Sequence, residues 1–376
     1  MYNWLIDKLE ISHGKHTPLL SMEGLRGVAV FLVFWVHYSS LVDPWLSGSS
    51  IYVSNFIHSF GHLGVDLFFV LSGFLIYGSI VDKNDFSVTE YGRRRIQRIY
   101  PTFLIVFSAY LVLSFIFPSE SKLPQSTLDK TIYIIQNLLL LPGIFDIKPI
   151  ITVAWSLSYE VFYYLLIPFV VFLLKLKSWK VNNRLLFWGG ASAAGLILFS
   201  LFGGPARLLM FISGILLFEI YSKKQYTIRK GGTIFLFMAL TIFGLKSIFK
   251  FDYALSILAI FILFILLCLC AFNQQSKTYK WLTYTPLRWL GNMSYSYYLI
   301  HGLTLKFCFL VIGIVLPASF NSVSLYYWLW VPLFVLTLVV SFILFCIVER
   351  PLSLQISRGG QASKKLMPQT TKAAAD

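Results

Sequence analysis

Charge is what this sequence has least of. Only 12% of its 376 residues are Asp, Glu, Lys or Arg, against about 25% in an ordinary soluble domain, and 57% are hydrophobic, which excludes a single soluble core. Acidic residues are scarcer still, 16 against 31 basic ones, so the formal net charge is +15. There are four cysteines, Cys268, Cys270, Cys308 and Cys346, all in apolar stretches and at spacings that suggest neither a disulfide framework nor a zinc site. Plain packing accounts for them, and no metal site is expected. P-loop, dinucleotide-binding glycine fingerprint and HExxH motif are all missing. The first 20 residues lack the short apolar core and small-residue cleavage site of a removable signal peptide, so the first apolar segment is expected to be retained.

Long apolar runs are what the chain has in quantity. A helix needs about 20 such residues to cross roughly 30 Å of hydrocarbon. Ten runs qualify, near 21–42, 60–81, 101–118, 152–174, 185–203, 205–221, 232–249, 253–272, 288–316 and 325–348. The expected fold is an all-α integral membrane protein, a bundle of about ten transmembrane helices with both termini cytoplasmic. Residues 1–20 form a cytoplasmic N-terminal segment in this reading, 21–351 the transmembrane domain and 352–376 a flexible cytoplasmic tail. Segment 131–141 is too short to cross and lies between proline-bearing stretches, which predicts a re-entrant or interfacial piece. With this topology 23 of the 31 basic residues fall on the inner side. That is a positive-inside bias, so the basic balance needs no nucleic acid to explain it.

Ionisable residues inside apolar runs are costly, and each is by default a candidate functional residue. Arg26 and His37 share the first run. Eleven residues of α-helix bring the chain about 20° past three full turns and roughly 16 Å along the axis, so both face one side at different depths. Counting from the inner ends, His37, Asp66, Glu160, Arg207 and His301 come out about 20–24 Å deep, which predicts one layer drawn from five helices. Histidine in such a layer suits proton transfer near neutral pH. The alternative is a set of buried pairs that only fix helix packing.

The loop expected after the second span carries RRRIQRIYP, with Arg95 and Arg98 three apart on one helical face and Pro101 at the mouth of the next span. Guanidinium groups hold phosphate oxygens bidentately, so the cluster suits a phosphate-bearing ligand, although a positive-inside cluster needs no ligand. An inner anion site and a deeper proton-transfer layer together suggest a phosphorylated donor used from inside. A lipid-linked glycan flippase or small-molecule transporter is the competing class, since intramembrane charges serve transport too.

The run EGLRGVAVFLVFWVH, followed in order by GVDLFFVLSGFLI, RRRIQRIYP, WSLSYEVFYY, LGNMSYSYYLIH and a closing ERP, resembles the membrane-bound acyltransferase family 3, from about Met22 to Pro351. These are the O-acetyltransferases of bacterial O-antigen, exopolysaccharide and nodulation factor. The resemblance implies acetyl-CoA as co-substrate, no tightly bound cofactor, a hydroxyl of a glycan or lipid-linked saccharide as acceptor, and residence among the lipids of the bacterial plasma membrane. Arg26 and His37 match the family's Arg and His pair required for activity, and Arg95 and Arg98 its cytosolic Arg-x-x-Arg motif. Glu160 and His301 match recurring polar positions. Many members carry a further esterase-like domain after the tenth span, and such a domain would here be another chain. The expected mechanism places coenzyme A phosphates on Arg95 and Arg98, the pantetheine arm past Arg26, and His37 as general base. Glu160 or Asp66 would fix the imidazole tautomer, and Tyr159, His301 or Arg207 would donate to the oxyanion.

Overall fold

The computed structural model describes residues 2–11, 20–83, 85–223, 228–249, 251–316 and 322–355. Among them every regular element is helical. In chain order these are α1 (Tyr2–Leu9), α2 (Leu20–Val42), α3 (Ser49–Gly61), α4 (Leu63–Val81), α5 (Val88–Ile116), α6 (Thr127–Leu138) and α7 (Ala154–Leu173). Then follow α8 (Val181–Phe202), α9 (Leu209–Ser222), α10 (Gly232–Phe249), α11 (Tyr253–Ala271), α12 (Lys277–Leu282), α13 (Thr285–Asn292), α14 (Ser294–Val315) and α15 (Val323–Leu344). A π-helical stretch, Phe345–Gln355, continues α15.

The protein is an all-α membrane protein. Eight helical stretches among the described residues are long and apolar enough to cross a membrane, and each of the ten expected runs is helical over most of its length. The shortest of the ten is α9, with 14 residues. Gly203, Gly204 and Pro205 stand before it, and both glycines have positive φ, so the chain breaks there instead of running on from α8. Nearly every residue of α9 from Leu209 to Glu219 is buried, whereas α8 buries little besides Arg184 and Trp188. A helix apolar all round belongs in the middle of the bundle, and α9 lies there against α4, its most extensive partner.

That crossing depends on small residues. A Cβ at Gly73 of α4 would overlap the carbonyl oxygen of Phe211, and one at Gly214 of α9 would overlap that of Val70. Backbones therefore touch, as close helix packing in lipid requires. One buried ion pair adds a polar tie between α8 and α9. Arg184 donates from Nε to Glu219 Oε1 at 2.6 Å and from a terminal nitrogen to Oε2 at 3.0 Å. The Tyr77 hydroxyl of α4 donates to the same carboxylate.

Three expected boundaries move. The arginine cluster is not a loop, because Ser87 caps α5 by accepting from the Glu90 amide at 3.3 Å, and the helix runs through Pro101 as one 29-residue rod. The run 288–316 breaks at Met293 into α13 and α14, since α13 lies against α2 so closely that a Cβ on Gly291 would overlap the Glu23 carbonyl. The final run ends its α-helical part at Leu344 and winds on more widely. The segment expected to be re-entrant or interfacial lies largely within α6, which with its C-cap exposes Leu128, Ile132, Ile135 and Leu139 as one apolar stripe and buries Asn137. Of the expected N-terminal segment, residues 2–11 are described, and Glu10 accepts from Arg288 at 2.7 Å and from the Trp289 indole at 3.2 Å. Within the expected tail only 352–355 is described; 356–376 lies outside the described residues.

Replacing Gly73 by Ala is expected to cost about 1–3 kcal/mol through overpacking. Gly189→Ala, where a Cβ meets open space, is expected to leave stability unchanged or slightly raised. Thermal unfolding of the two variants in detergent checks this, and equal midpoints would contradict the close α4–α9 crossing.

Candidate active site

Helices α2, α4, α5, α7 and α14 enclose a cavity of about 190 Å³. Arg26, Arg95 and Arg98 line it together with Glu160, Tyr164 and Tyr298. The three arginines expected to serve one ligand are thus brought to one chamber. Two of them, Arg95 and Arg98, also line a second cavity of about 230 Å³, which holds Lys83 and Arg94 and forms the mouth at that end of the bundle. Their spacing on α5 turns both inward, while Arg93 is exposed and Arg94 is taken up by Glu90 one turn back.

Each guanidinium is held differently. Arg98 donates to Glu349 Oε1 at 2.6 Å and lies 5.4 Å from the Tyr295 ring centroid. Glu349 is wholly buried, and its other oxygen accepts from the Ser296 amide at 2.9 Å and hydroxyl at 2.6 Å. A fully bonded carboxylate of this kind tolerates burial. Arg95 donates to the Ser79 hydroxyl at 3.0 Å and is sandwiched between the rings of Tyr91 and Tyr164 at 4.9 and 4.8 Å. Arg26 has no hydrogen bond or ion pair among the described residues, which leaves its donors open to the cavity. Glu160 accepts from the Ser72 hydroxyl at 3.3 Å and from the Tyr164 hydroxyl one turn on.

His37 stands eleven residues beyond Arg26 on the unbroken α2. Its ring centroid is 4.9 Å from that of His301 on α14, at an interplanar angle of 64°. The Nδ1 of His301 is 2.8 Å from the Tyr297 carbonyl. A carbonyl only accepts, so Nδ1 carries the proton of the neutral ring and Nε2 is left as an acceptor. That Nε2 is buried and has no partner among the described residues. In its neutral form His301 therefore accepts a proton or a hydrogen bond at Nε2 beside His37, whereas the expected donation to an oxyanion requires the ring to be protonated.

The five groups of the expected layer fall into three sets of contacts. His37 pairs with His301, Asp66 stands 3.5 Å from Arg207, and Glu160 joins the arginine cavity. Neither carboxylate is hydrogen-bonded to His37, so the expectation that Glu160 or Asp66 fixes its tautomer is corrected as well. Each has nearer cations or hydroxyls to compensate its charge. Tyr159 packs its ring on Trp155 and Phe69 at 5.6 and 6.2 Å, within the aromatic core. Sequence reasoning missed Glu349, Glu219 and the two rings around Arg95. The carboxylates carried a usable signal, since both are acidic residues at the ends of apolar runs.

The profile of the family described as an acyltransferase domain matches residues 19–346. The peptidoglycan O-acetyltransferase OatA of Listeria monocytogenes is 25% identical over 323 residues, covering 76% of this chain and 49% of that protein. The O-acetyltransferase OatA of Staphylococcus aureus is 27% identical over 322 residues, covering 74% of this chain and 50% of the other. An uncharacterized protein of Haemophilus influenzae is 37% identical over 130 residues, 31% of this chain and 52% of that one. The chain spans about half the length of these curated relatives. No solved structure shows a significant match.

Removing Glu349 leaves Arg98 and Ser296 without their acceptor, so Glu349→Ala is expected to destabilise the protein by about 3–5 kcal/mol, as broken buried pairs do. Glu349→Gln keeps an oxygen acceptor and is expected to cost less. Thermal unfolding in detergent decides, and a Glu349→Ala variant as stable as the parent would show that the pair carries no weight.

Proposed function

The chain belongs to the acyltransferase family, and we propose that it is an O-acetyltransferase of the bacterial plasma membrane which moves an acetyl group from cytosolic acetyl-CoA to a hydroxyl of a cell-surface or exported glycan. The observation that carries this reading is the chamber in which α2 and α5 bring Arg26, Arg95 and Arg98 together, with Glu160 of α7 in its wall. Such a chamber suits a polyanionic ligand, and guanidinium forks match phosphate oxygens. The O-acetyltransferase names of two relatives support the reaction class.

In this reading the diphosphate of coenzyme A rests on Arg95 and Arg98 at the mouth, and the pantetheine arm passes Arg26. The thioester then lies beside α2 toward His37, roughly 16 Å further along that helix. His37 takes the proton from the acceptor hydroxyl as general base. The freed oxygen attacks the acetyl carbonyl, the carbon–sulfur bond breaks, and the proton returns to the departing thiolate to give free coenzyme A. His301, an acceptor fixed by Tyr297, stabilises the proton on the His37 ring. Arg98 has Glu349, and Glu160, held by Ser72 and Tyr164, offsets part of the charge that Arg26 and Arg95 bring to the chamber.

His37→Ala is expected to lower acceptor-dependent release of coenzyme A at least about 100-fold while the protein remains in the membrane. Undiminished release in that variant would sink the reading. The double change Arg95→Ala and Arg98→Ala removes two charge-assisted contacts and is expected to raise KM for acetyl-CoA about 10-fold or more. An unchanged KM would leave the cluster as topology alone. Purified protein supplied with acetyl-CoA is expected to release coenzyme A only when a glycan acceptor is present.

A further inference from the structure

Between α5 and α7 an apolar groove of about 860 Å³ opens on the flank of the bundle. Ile96 on one wall and Leu165, Phe169 and Leu173 on the other are exposed. The lining runs from Val88 to Tyr100 on α5 and from Val161 to Leu173 on α7. Each stretch is about 18 Å long, close to the depth of one leaflet of a bilayer whose hydrocarbon spans roughly 30 Å. The groove lies at the end of the bundle that carries the arginine cluster.

Its wall includes one charged residue, Arg95. Arg94 has Glu90 and Arg98 has Glu349, but Arg95 has no carboxylate partner among the described residues. It touches the Ser79 hydroxyl and two tyrosine rings. Tyr91, Arg95 and Tyr164 line the groove, while Tyr91 and Arg95 also line the basic mouth with Lys83 and Arg94. An apolar channel one leaflet deep therefore meets an uncompensated guanidinium in basic surroundings.

We propose that the groove is a specific site for one anionic phospholipid, with an alkyl chain between α5 and α7 and its phosphate on Arg95. The chain gains little by leaving bulk lipid, because both surroundings are hydrocarbon, so the headgroup decides what binds. Lys83, Arg93 and Arg94 favour a headgroup of net negative charge and disfavour a choline cation. The site shares Arg95 with the proposed coenzyme A site, so lipid binding is read with no acetyl-CoA present; it needs the membrane placement of the chain and the Arg95 donors that Ser79 does not take.

The test counts lipids retained by the full chain after purification from an equimolar mixture of phosphatidylglycerol and phosphatidylcholine, read by native mass spectrometry without turnover. Phosphatidylglycerol is expected to be retained over phosphatidylcholine by about five-fold, the factor that one basic contact supplies. A Cβ on Gly92 meets open space, and Gly92 lines the groove, so Gly92→Leu fills it without a clash. This variant, and Leu165→Trp from the opposite wall, are expected to bring the ratio to about one. A ratio near one in the parent overturns the proposal, as does a preference that survives both variants. Acetyl transfer keeps its own readout, coenzyme A release.

Discussion

A guanidinium inside a bundle surrounded by hydrocarbon must be paired, bonded or open to a polar cavity, because an isolated buried charge is too costly to persist. The arrangement of this protein follows from how its arginines meet that requirement. Arg98 is paired with Glu349, which ties the end of the last helical run to α5 and, through Ser296, to α14. Arg184 is paired with Glu219, which fixes α8 to the buried α9. Arg26 takes the remaining course and faces the cavity. Two arginines thus hold helices together, and the third is left with its donors free.

Helix α2 links the two chemical regions. One unbroken rod carries Arg26 at the cavity and His37 against His301. Since α2 also packs on α3, α4, α13 and α14, its register along the bundle axis is fixed from several sides. The separation of anion-binding and proton-accepting ends is then a property of covalent geometry, 1.5 Å per residue over eleven residues, and does not depend on loops.

Much of this was legible in the sequence. Hydropathy located the ten apolar runs, and periodicity put Arg95 and Arg98 on one face. The contacts made by the five ionisable groups of the expected layer were not legible, because counting residues from span ends gives a depth and says nothing of azimuth. Glu160 shares the calculated depth of His37 but turns toward Ser72 and the arginines. The break at Met293 was hidden within a continuous apolar run, since it results from the contact between Gly291 and the backbone of α2. Glu349 was visible as a residue, but its partner lies 251 positions away, and no local pattern reports a contact of that range.

The π-helical stretch that carries Glu349 has a geometric consequence of its own. An α-helix advances each side chain by a fixed angle, whereas the wider π winding turns less per residue and leaves room for an inserted residue. Over Phe345–Gln355 the chain therefore spreads its rotation over more residues than α15 would have used. The azimuth of Glu349 is set by that slower rotation. Deleting one residue between Leu344 and Glu349 would restore ordinary winding and swing the carboxylate away from Arg98, so the length of this segment is as constrained as its composition.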